Sequence, residues 1–305
     1  MRIAVVGAGA IGGFLAAALA RAGNDVSIVA RGEHLAAIRR DGIVVEHSDF
    51  GTFTARVAAS GDLRELPDPD VAILAFKSHQ WPALLPQFHA GFTVVTMQNG
   101  VPFWFRRTPP LRAVDPGGRI GALFDDAHAA GGVVHVSGHI VAPGRLHQSG
   151  GARYVLGSVD PAAAPLVERL AAAMREARLE PEVTDRIKHF VWLKLVNNVG
   201  LNPVSVLHRA TIVQMLEDST MRDEVRALMR EALAVGRALG VVDDVDIDAR
   251  LQYAQRLSDV RTSMLQDALA GRALELDPIV GAVVELGEEL HVDISHLRAV
   301  YEQLQ

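Results

Sequence analysis

The chain has 305 residues, 49% hydrophobic and 22% charged, which is enough for two domains with sizeable cores. Its net charge of −6 gives no reason to expect binding to nucleic acid or to an anionic membrane. The absence of cysteine excludes disulfides and thiolate metal sites, and no apolar run approaches the roughly 20 residues of a membrane span. We therefore expect a soluble protein, and a reducing, cytoplasmic compartment fits this composition.

The first 30 residues show the pattern of a dinucleotide-binding βαβ unit. A short β-branched run over residues 3–6 leads into a G-x-G-x-x-G motif, and a helical pattern then extends to Arg21. A second strand is predicted over residues 25–30. In such a unit the first glycine permits the tight turn, the second lets the backbone approach a pyrophosphate, and the third allows close packing of helix and strand. The predicted cofactor contacts are Gly7, Gly9, Ala10, Ile11 and Gly12.

The residue after the second strand indicates which dinucleotide binds. An NAD site calls for a carboxylate there, which would bind the ribose 2′-hydroxyl. This chain instead has Arg31, and Glu33 follows only two residues later. Because an arginine can pair with a 2′-phosphate, we predict NADP rather than NAD. The alternative is that Arg31 is a solvated residue at the end of a strand.

The rest of the first half continues an α/β pattern. Residues 42–60 predict a β-hairpin, and two buried strands follow, with Lys77 and Asn99 at their carboxyl ends. In open α/β sheets ligands bind beyond these ends, so both residues are candidate contacts. The alternative for Asn99-Gly100, which the position favours equally, is a tight turn. Residues 131–160 are expected to form three more strands, followed by an amphipathic helix over 162–178 and a last short strand. His135 and His139 lie in strand-like sequence without an acidic neighbour, so we predict no metal site.

The pattern becomes helical after about residue 185. We predict a Rossmann-type dinucleotide-binding domain over residues 1–185 and an all-helical substrate domain over 186–305, with the substrate between them. One predicted helix is strongly apolar, yet Lys194, Asn198 and Asn202 recur on one face of it. A buried amine and buried amides need polar partners. Either they satisfy one another or a ligand completes them.

Between the two halves, residues 101–130 break the pattern because they contain four prolines. The aromatic run Phe103, Trp104 and Phe105 could cap a nearby site or simply pack into the core, and we favour packing.

Several motifs in fixed order resemble the ketopantoate reductase (2-dehydropantoate 2-reductase) family. They are GAGAIGG, FKSHQ, QNG, the K-x-x-x-N-x-x-x-N helix and the segment SMLQDALAGRALELD over 263–277. The resemblance covers essentially the whole chain. It implies an α/β fold and an NADPH-dependent reduction of 2-dehydropantoate to pantoate, a step of pantothenate biosynthesis.

The resemblance also implies roles for individual residues. Lys194 is similar to the family's general acid and Glu275 to the carboxylate that orients it. Asn198 and Asn202 correspond to substrate hydroxyl contacts, Ser263 to a substrate carboxylate contact, and Asn99 to a bridge between substrate, Lys194 and nicotinamide. Lys77 and Arg31 correspond to cofactor contacts.

This sequence departs from the family pattern at three places, which leaves the identity of the keto acid open. Leu274 replaces a common threonine, the segment 101–130 is longer and more aromatic, and Pro203 is expected to kink the helix. Two alternatives therefore remain: a reductase of a different 2-keto acid, or an NADP-sensing protein without catalysis. The sequence does not define the oligomeric state, and a homodimer is one option.

Overall fold

In the computed structural model, residues 1–255 and 260–305 are described, and the chain divides into two compact units. The first comprises residues 1–98 and 119–187, and the second comprises residues 99–118 and 188–305. The predicted boundary at 185/186 treats the domains as consecutive blocks, whereas here the segment 99–118 groups with the helical unit. The fold is α/β in the first unit and helical in the second, as the sequence predicts. No helix among the described residues is long and apolar enough to span a membrane.

The first unit is built on a ten-stranded mixed sheet. Five parallel strands follow the order β7-β6-β1-β2-β5, and the chain order therefore reverses between β1 and β6. This is the doubly wound arrangement of dinucleotide-binding folds. The strands are β1 Arg2–Val6, β2 Asp25–Val29, β3 Ile43–His47, β4 Gly51–Ala55, β5 Ala58–Ser60, β6 Val71–Leu74, β7 Val94–Thr96, β8 Ala129–Ala142, β9 Arg145–Ser158 and β10 Glu180–Val183.

The prediction of three strands over residues 131–160 is wrong. The structure has two 14-residue antiparallel strands there, β8 and β9. The glycines that resemble strand ends lie inside these strands, where the pairing register shifts between His135 and Gly138. Opposite that shift, Gly150 and Gly151 have positive φ, which lets the long strand bend without ending. The hairpin predicted over residues 42–60 is confirmed for β3 and β4, but residues 58–60 form a separate strand, β5, which pairs in parallel with β2. The other strands predicted in this unit are confirmed.

The helices of the first unit cover the sheet. The central helix α1 begins within the glycine motif, and it buries Phe14, Leu15 and Leu19 completely in the core. Its small residues allow it to lie close to the strands. The helices are α1 Ala10–Arg21, α2 Gly32–Asp41, α3 Trp81–Leu84, α4 Arg119–Leu123 and α5 Ala164–Glu176. The amphipathic helix predicted over 162–178 corresponds to α5.

The second unit is organised around α6, which runs from Ile187 to His208 with Pro203 inside it. Trp192 of α6 is fully buried, and its Nε1–H donates to the carbonyl oxygen of Ala232 on α8 at 2.9 Å. The remaining helices are α7 Ile212–Glu217, α8 Ser219–Ala238, α9 Ile247–Gln255, α10 Ser263–Leu269, α11 Ala282–Glu289 and α12 Ser295–Leu304. A π-helical turn over Asp277–Gly281 leads directly into α11.

Candidate active site

The glycine turn after β1 is held against the end of β6, where the strand order reverses. Gly7 has φ +109°, and a Cβ atom there would lie 2.7 Å from the carbonyl oxygen of Ala75. At Gly12 a Cβ atom would lie 2.0 Å from the carbonyl oxygen of Gly7. Both glycines are therefore required by the protein's own packing, whatever binds beside them.

Gly9 differs from the other two glycines of the motif. It has an extended backbone (φ −65°, ψ −178°) that any residue can adopt, and no heavy atom lies within 4 Å of a Cβ added to it. Gly9 is the N-cap of α1, so the N–H groups of Ala10, Ile11 and Gly12 lie in the first turn, where a helix leaves them without partners. Open space beside a helix N-terminus suits a phosphate group, and this cradle fits a dinucleotide.

The ends of neighbouring strands place the other cofactor candidates of this unit. Lys77 is partly buried and follows β6, while Arg31 is exposed and follows β2 as the N-cap of α2. Gln98, the first residue of the QNG motif, was given no role from the sequence; its Nε2 donates to the carbonyl oxygen of Phe76 at 2.9 Å. This bond ties the ends of β6 and β7 together just before Asn99.

In the second unit, the polar face predicted on α6 carries a strongly perturbed lysine. Protein packed around the Lys194 amine desolvates it and lowers its pKa from 10.5 to about 8, while the Glu275 carboxylate opposes this shift. The residue itself keeps some accessible surface, whereas Asn202 is only 5% exposed. Lys194 can thus exist both as an ammonium and as a free amine near neutral pH, as a proton donor requires.

The third asparagine of this helix has a structural role. Asn197 follows Lys194 by three residues, and its Oδ1 accepts a hydrogen bond from Nη1 of Arg250 at 3.2 Å. This bond joins α6 to α9. Asn198 and Asn202 repeat at intervals of four residues from Lys194, and they remain the two asparagines predicted to contact substrate.

The segment 263–277 combines residues of two kinds. Arg272 Nε donates to Asp267 Oδ1 at 2.9 Å, which closes the turn after α10, and the Tyr301 hydroxyl donates to Asp277 at 2.6 Å. Asp267, Arg272 and Asp277 therefore hold the local fold. Glu275 is buried and acts electrostatically on Lys194, whereas Ser263 is the first residue of α10.

The backbone just after Asn99 is hydrogen-bonded to the π-helical turn that follows Glu275. The Val101 N–H donates to the Pro278 carbonyl oxygen at 2.7 Å, within the π-helical turn. Between these residues, Gly100 has φ +85°, and a Cβ there would lie 2.4 Å from the same carbonyl oxygen. The backbone of Asn99 is therefore held in place by its neighbours Gly100 and Val101, which pack against Pro278 of the same unit.

The aromatic run after Asn99 packs into the core, as favoured from the sequence. Phe103, Trp104 and Phe105 are all at most 5% exposed, and the Phe105 ring lies 5.4 Å from that of Trp192 on α6. They secure the segment 99–118 to the helical unit and do not form an exposed cap.

Glu285 also holds this segment and was missed by sequence analysis. Glu285 is 9% exposed, and its carboxylate accepts hydrogen bonds from the backbone N–H groups of Arg112 and Ala113 at 2.9 and 3.0 Å. Arg106 forms an ion pair with Glu289 one turn along α11. No local pattern could reveal these contacts, because their partners lie more than 170 residues apart.

The sheet order and the open glycine turn define a Rossmann-type dinucleotide-binding protein with a second, helical unit. Family models agree with both parts: "Ketopantoate reductase PanE/ApbA" matches residues 3–161, and "Ketopantoate reductase PanE/ApbA C terminal" matches residues 186–305. The chain therefore belongs to the ketopantoate reductase family, and it is an oxidoreductase that uses a nicotinamide dinucleotide.

Individual relatives give the same result. The chain is 40% identical over 300 residues to the 2-dehydropantoate 2-reductase of Mesorhizobium japonicum, covering 94% of this chain and 91% of the relative. A candidate ketopantoate reductase from Ralstonia solanacearum MolK2 is 35% identical with a TM-score of 0.91, covering 99% and 96%. The 2-dehydropantoate 2-reductase of Methylococcus capsulatus is 30% identical with a TM-score of 0.83, covering 100% and 96%.

Proposed function

We propose that this protein reduces 2-dehydropantoate to pantoate with NADPH, the reaction that supplies pantothenate biosynthesis. The observation that carries the proposal is the pKa of the Lys194 amine. Burial lowers this pKa, the charge of Glu275 raises it, and the result is about 8. The names of its relatives support the substrate. The arginine after β2 supports NADPH, because it can pair with a 2′-phosphate.

When bound, the reduced nicotinamide supplies a hydride to the C2 carbonyl carbon of the keto acid. The electron pair of the carbonyl bond moves to oxygen, and the ammonium of Lys194 delivers a proton there, forming the hydroxyl group. Lys194 is left as a neutral amine and regains its proton from solvent. Glu275 keeps a large fraction of the amine protonated near neutral pH, because its charge raises that pKa.

The remaining residues of the proposed site bind and orient. Asn198 and Asn202 bind the substrate hydroxyl, Ser263 binds its carboxylate, and Asn99 bridges substrate and Lys194. The phosphates of the cofactor lie against the N–H groups of the Gly9 turn, with Lys77 and Arg31 as further contacts. We place the protein in the cytoplasm, in keeping with its lack of cysteine.

A substrate panel tests the proposal directly. The purified protein is mixed with NADPH and each of 2-dehydropantoate, pyruvate, 3-methyl-2-oxobutanoate and phenylglyoxylate, and the loss of NADPH absorbance is followed. We expect the highest kcat/KM for 2-dehydropantoate. A higher value for another keto acid would establish the alternative reductase, and no turnover of any of them would favour the sensor.

A pair of lysine variants on one helix tests the proton donor. Lys194→Ala should lower kcat at least 100-fold, because general acid catalysis contributes about 10²–10⁴-fold, and NADPH binding should persist. Lys188→Ala is the control, because Lys188 lies on the same helix over the Phe105 ring. An unchanged rate in Lys194→Ala would remove this residue from the mechanism.

A further inference from the structure

A chain of buried hydroxyl groups links α6 to the first turn of α10. Ser205 Oγ lies 2.6 Å from the carbonyl oxygen of Asn202 and 2.5 Å from Thr262 Oγ1. Thr262 is the N-cap of α10, and its Oγ1 accepts the Leu265 N–H at 3.1 Å. The three bonds form one continuous path from the backbone of α10 to the backbone of α6.

Each hydroxyl group has one proton to donate, so the hydrogen bonds along this path all run in one direction, from α10 to α6. The Asn202 carbonyl oxygen can only accept, so the one proton of the Ser205 hydroxyl is donated to it. Ser205 Oγ must then accept from the Thr262 hydroxyl. Because each bond polarises the next, a chain of this kind is stronger than its separate members.

Burial makes the path costly to break. Ser205 is 0% exposed and Thr262 is 7% exposed. If one hydroxyl is removed, its neighbour is left as a buried polar group without that partner, which is unfavourable. The path therefore holds α6 and the start of α10 at one spacing, although Ser205 and Thr262 are 57 residues apart in the chain.

The two ends of the path coincide with two residues of the proposed site. Asn202, at one end, lies on the Lys194 face of α6, and Ser263 directly follows Thr262 at the other end. We infer that Ser205 and Thr262 are positioning residues that fix Ser263 relative to Asn202. The substrate's carboxylate contact and hydroxyl contact can then act on one molecule at the same time. This inference rests on the proposed function.

Three substitutions separate positioning from folding. Ser205→Ala removes the hydrogen bond between Ser205 and Thr262 but keeps the cap of α10. Thr262→Val removes both that bond and the cap, whereas Thr262→Ser retains the hydroxyl group that makes them. The control is Thr211→Val, because Thr211 caps α7 in the same unit through a bond to the Gln214 N–H in its own first turn. Thr262→Val and Thr211→Val should both lower the Tm, because each loses a helix cap.

The kinetic readout compares two substrates that differ by one hydroxyl group, 2-dehydropantoate and 3,3-dimethyl-2-oxobutanoate. In Ser205→Ala and Thr262→Val, the KM for 2-dehydropantoate should rise about tenfold, with kcat and the Kd for NADPH near the wild-type values. The KM for the analogue should change less, because it has no hydroxyl to keep in register. Thr262→Ser should restore the wild-type ratio of the two KM values, and Thr211→Val should leave it unchanged.

An unchanged KM ratio in Ser205→Ala would overturn the inference, even if its Tm falls. That variant retains the cap of α10, so it decides the question if Thr262→Val does not fold. A wild-type protein that does not prefer 2-dehydropantoate over the analogue would instead overturn the proposed hydroxyl contact, and the inference with it.

Discussion

The Glu275 carboxylate and the surrounding protein act in opposite directions on the Lys194 amine. Burial lowers the pKa of Lys194, Glu275 raises it, and the result is about 8. An unperturbed lysine would stay charged at neutral pH, whereas this amine can exchange its proton within the physiological range.

The pH dependence of the rate should report this balance. A proton donor must be protonated, so kcat/KM in the wild type should fall as the pH rises through about 8. Glu275→Gln removes the charge that raises the pKa, so the fall should begin at lower pH. Glu302→Gln, at an exposed position, serves as the control. A Glu275→Gln profile that breaks at the wild-type pH or above would contradict the assignment.

Gly9→Ala should separate binding from folding. No atom lies near the added methyl group and the backbone is extended, so the Tm should stay close to wild type. The same methyl group would occupy space needed by a phosphate, so the Kd for NADPH should rise about tenfold or more. Gly7→Ala should instead lose stability, because its φ is +109° and the backbone of Ala75 blocks the site. Normal NADPH affinity in Gly9→Ala would move the phosphate site elsewhere.

Arg31→Ala should distinguish the two nicotinamide dinucleotides. If Arg31 binds a 2′-phosphate, its loss should weaken NADPH about tenfold or more and leave NADH nearly unchanged, because a charge-assisted hydrogen bond disappears. Isothermal titration with both cofactors measures this difference. Arg40→Ala is the control, since Arg40 lies on the same helix and pairs with Asp41. Equal weakening of both cofactors would refute the assignment.

Gly100→Ala and Gly117→Ala form a matched pair for stability. Both glycines have φ +85° in the segment 99–118, so each substitution should cost about 1 kcal/mol or more in backbone strain. Gly117 faces open space, whereas a Cβ at Gly100 meets the backbone of Pro278. Gly100→Ala should therefore lower the free energy of unfolding by about 1–3 kcal/mol more. Chemical denaturation measures both values, and equal losses would show that the Pro278 contact is unimportant.

Local sequence patterns were sufficient for most elements of the fold. The loose alternation of residues 42–60 predicts a hairpin, which forms over residues 43–55, and the spacing of Gly7, Gly9 and Gly12 between strand and helix predicts α1. These patterns failed for β8 and β9. Glycines often mark the end of a strand, but in β8 and β9 they accommodate bulges within long strands. A single sequence does not show whether a glycine ends a strand or bends it, since that depends on the partner strand.

The sequence by itself determined which residues carry reactive groups and how they repeat along a helix, as in the face of Lys194, Asn198 and Asn202. Only the tertiary structure decided that burial and Glu275 bring the Lys194 amine to a pKa of about 8, and that Ser205 reaches Thr262. Periodicity is a property of neighbouring residues and can be read from one chain. Desolvation and hydrogen bonds between distant segments depend on how the helices pack, which no local pattern encodes.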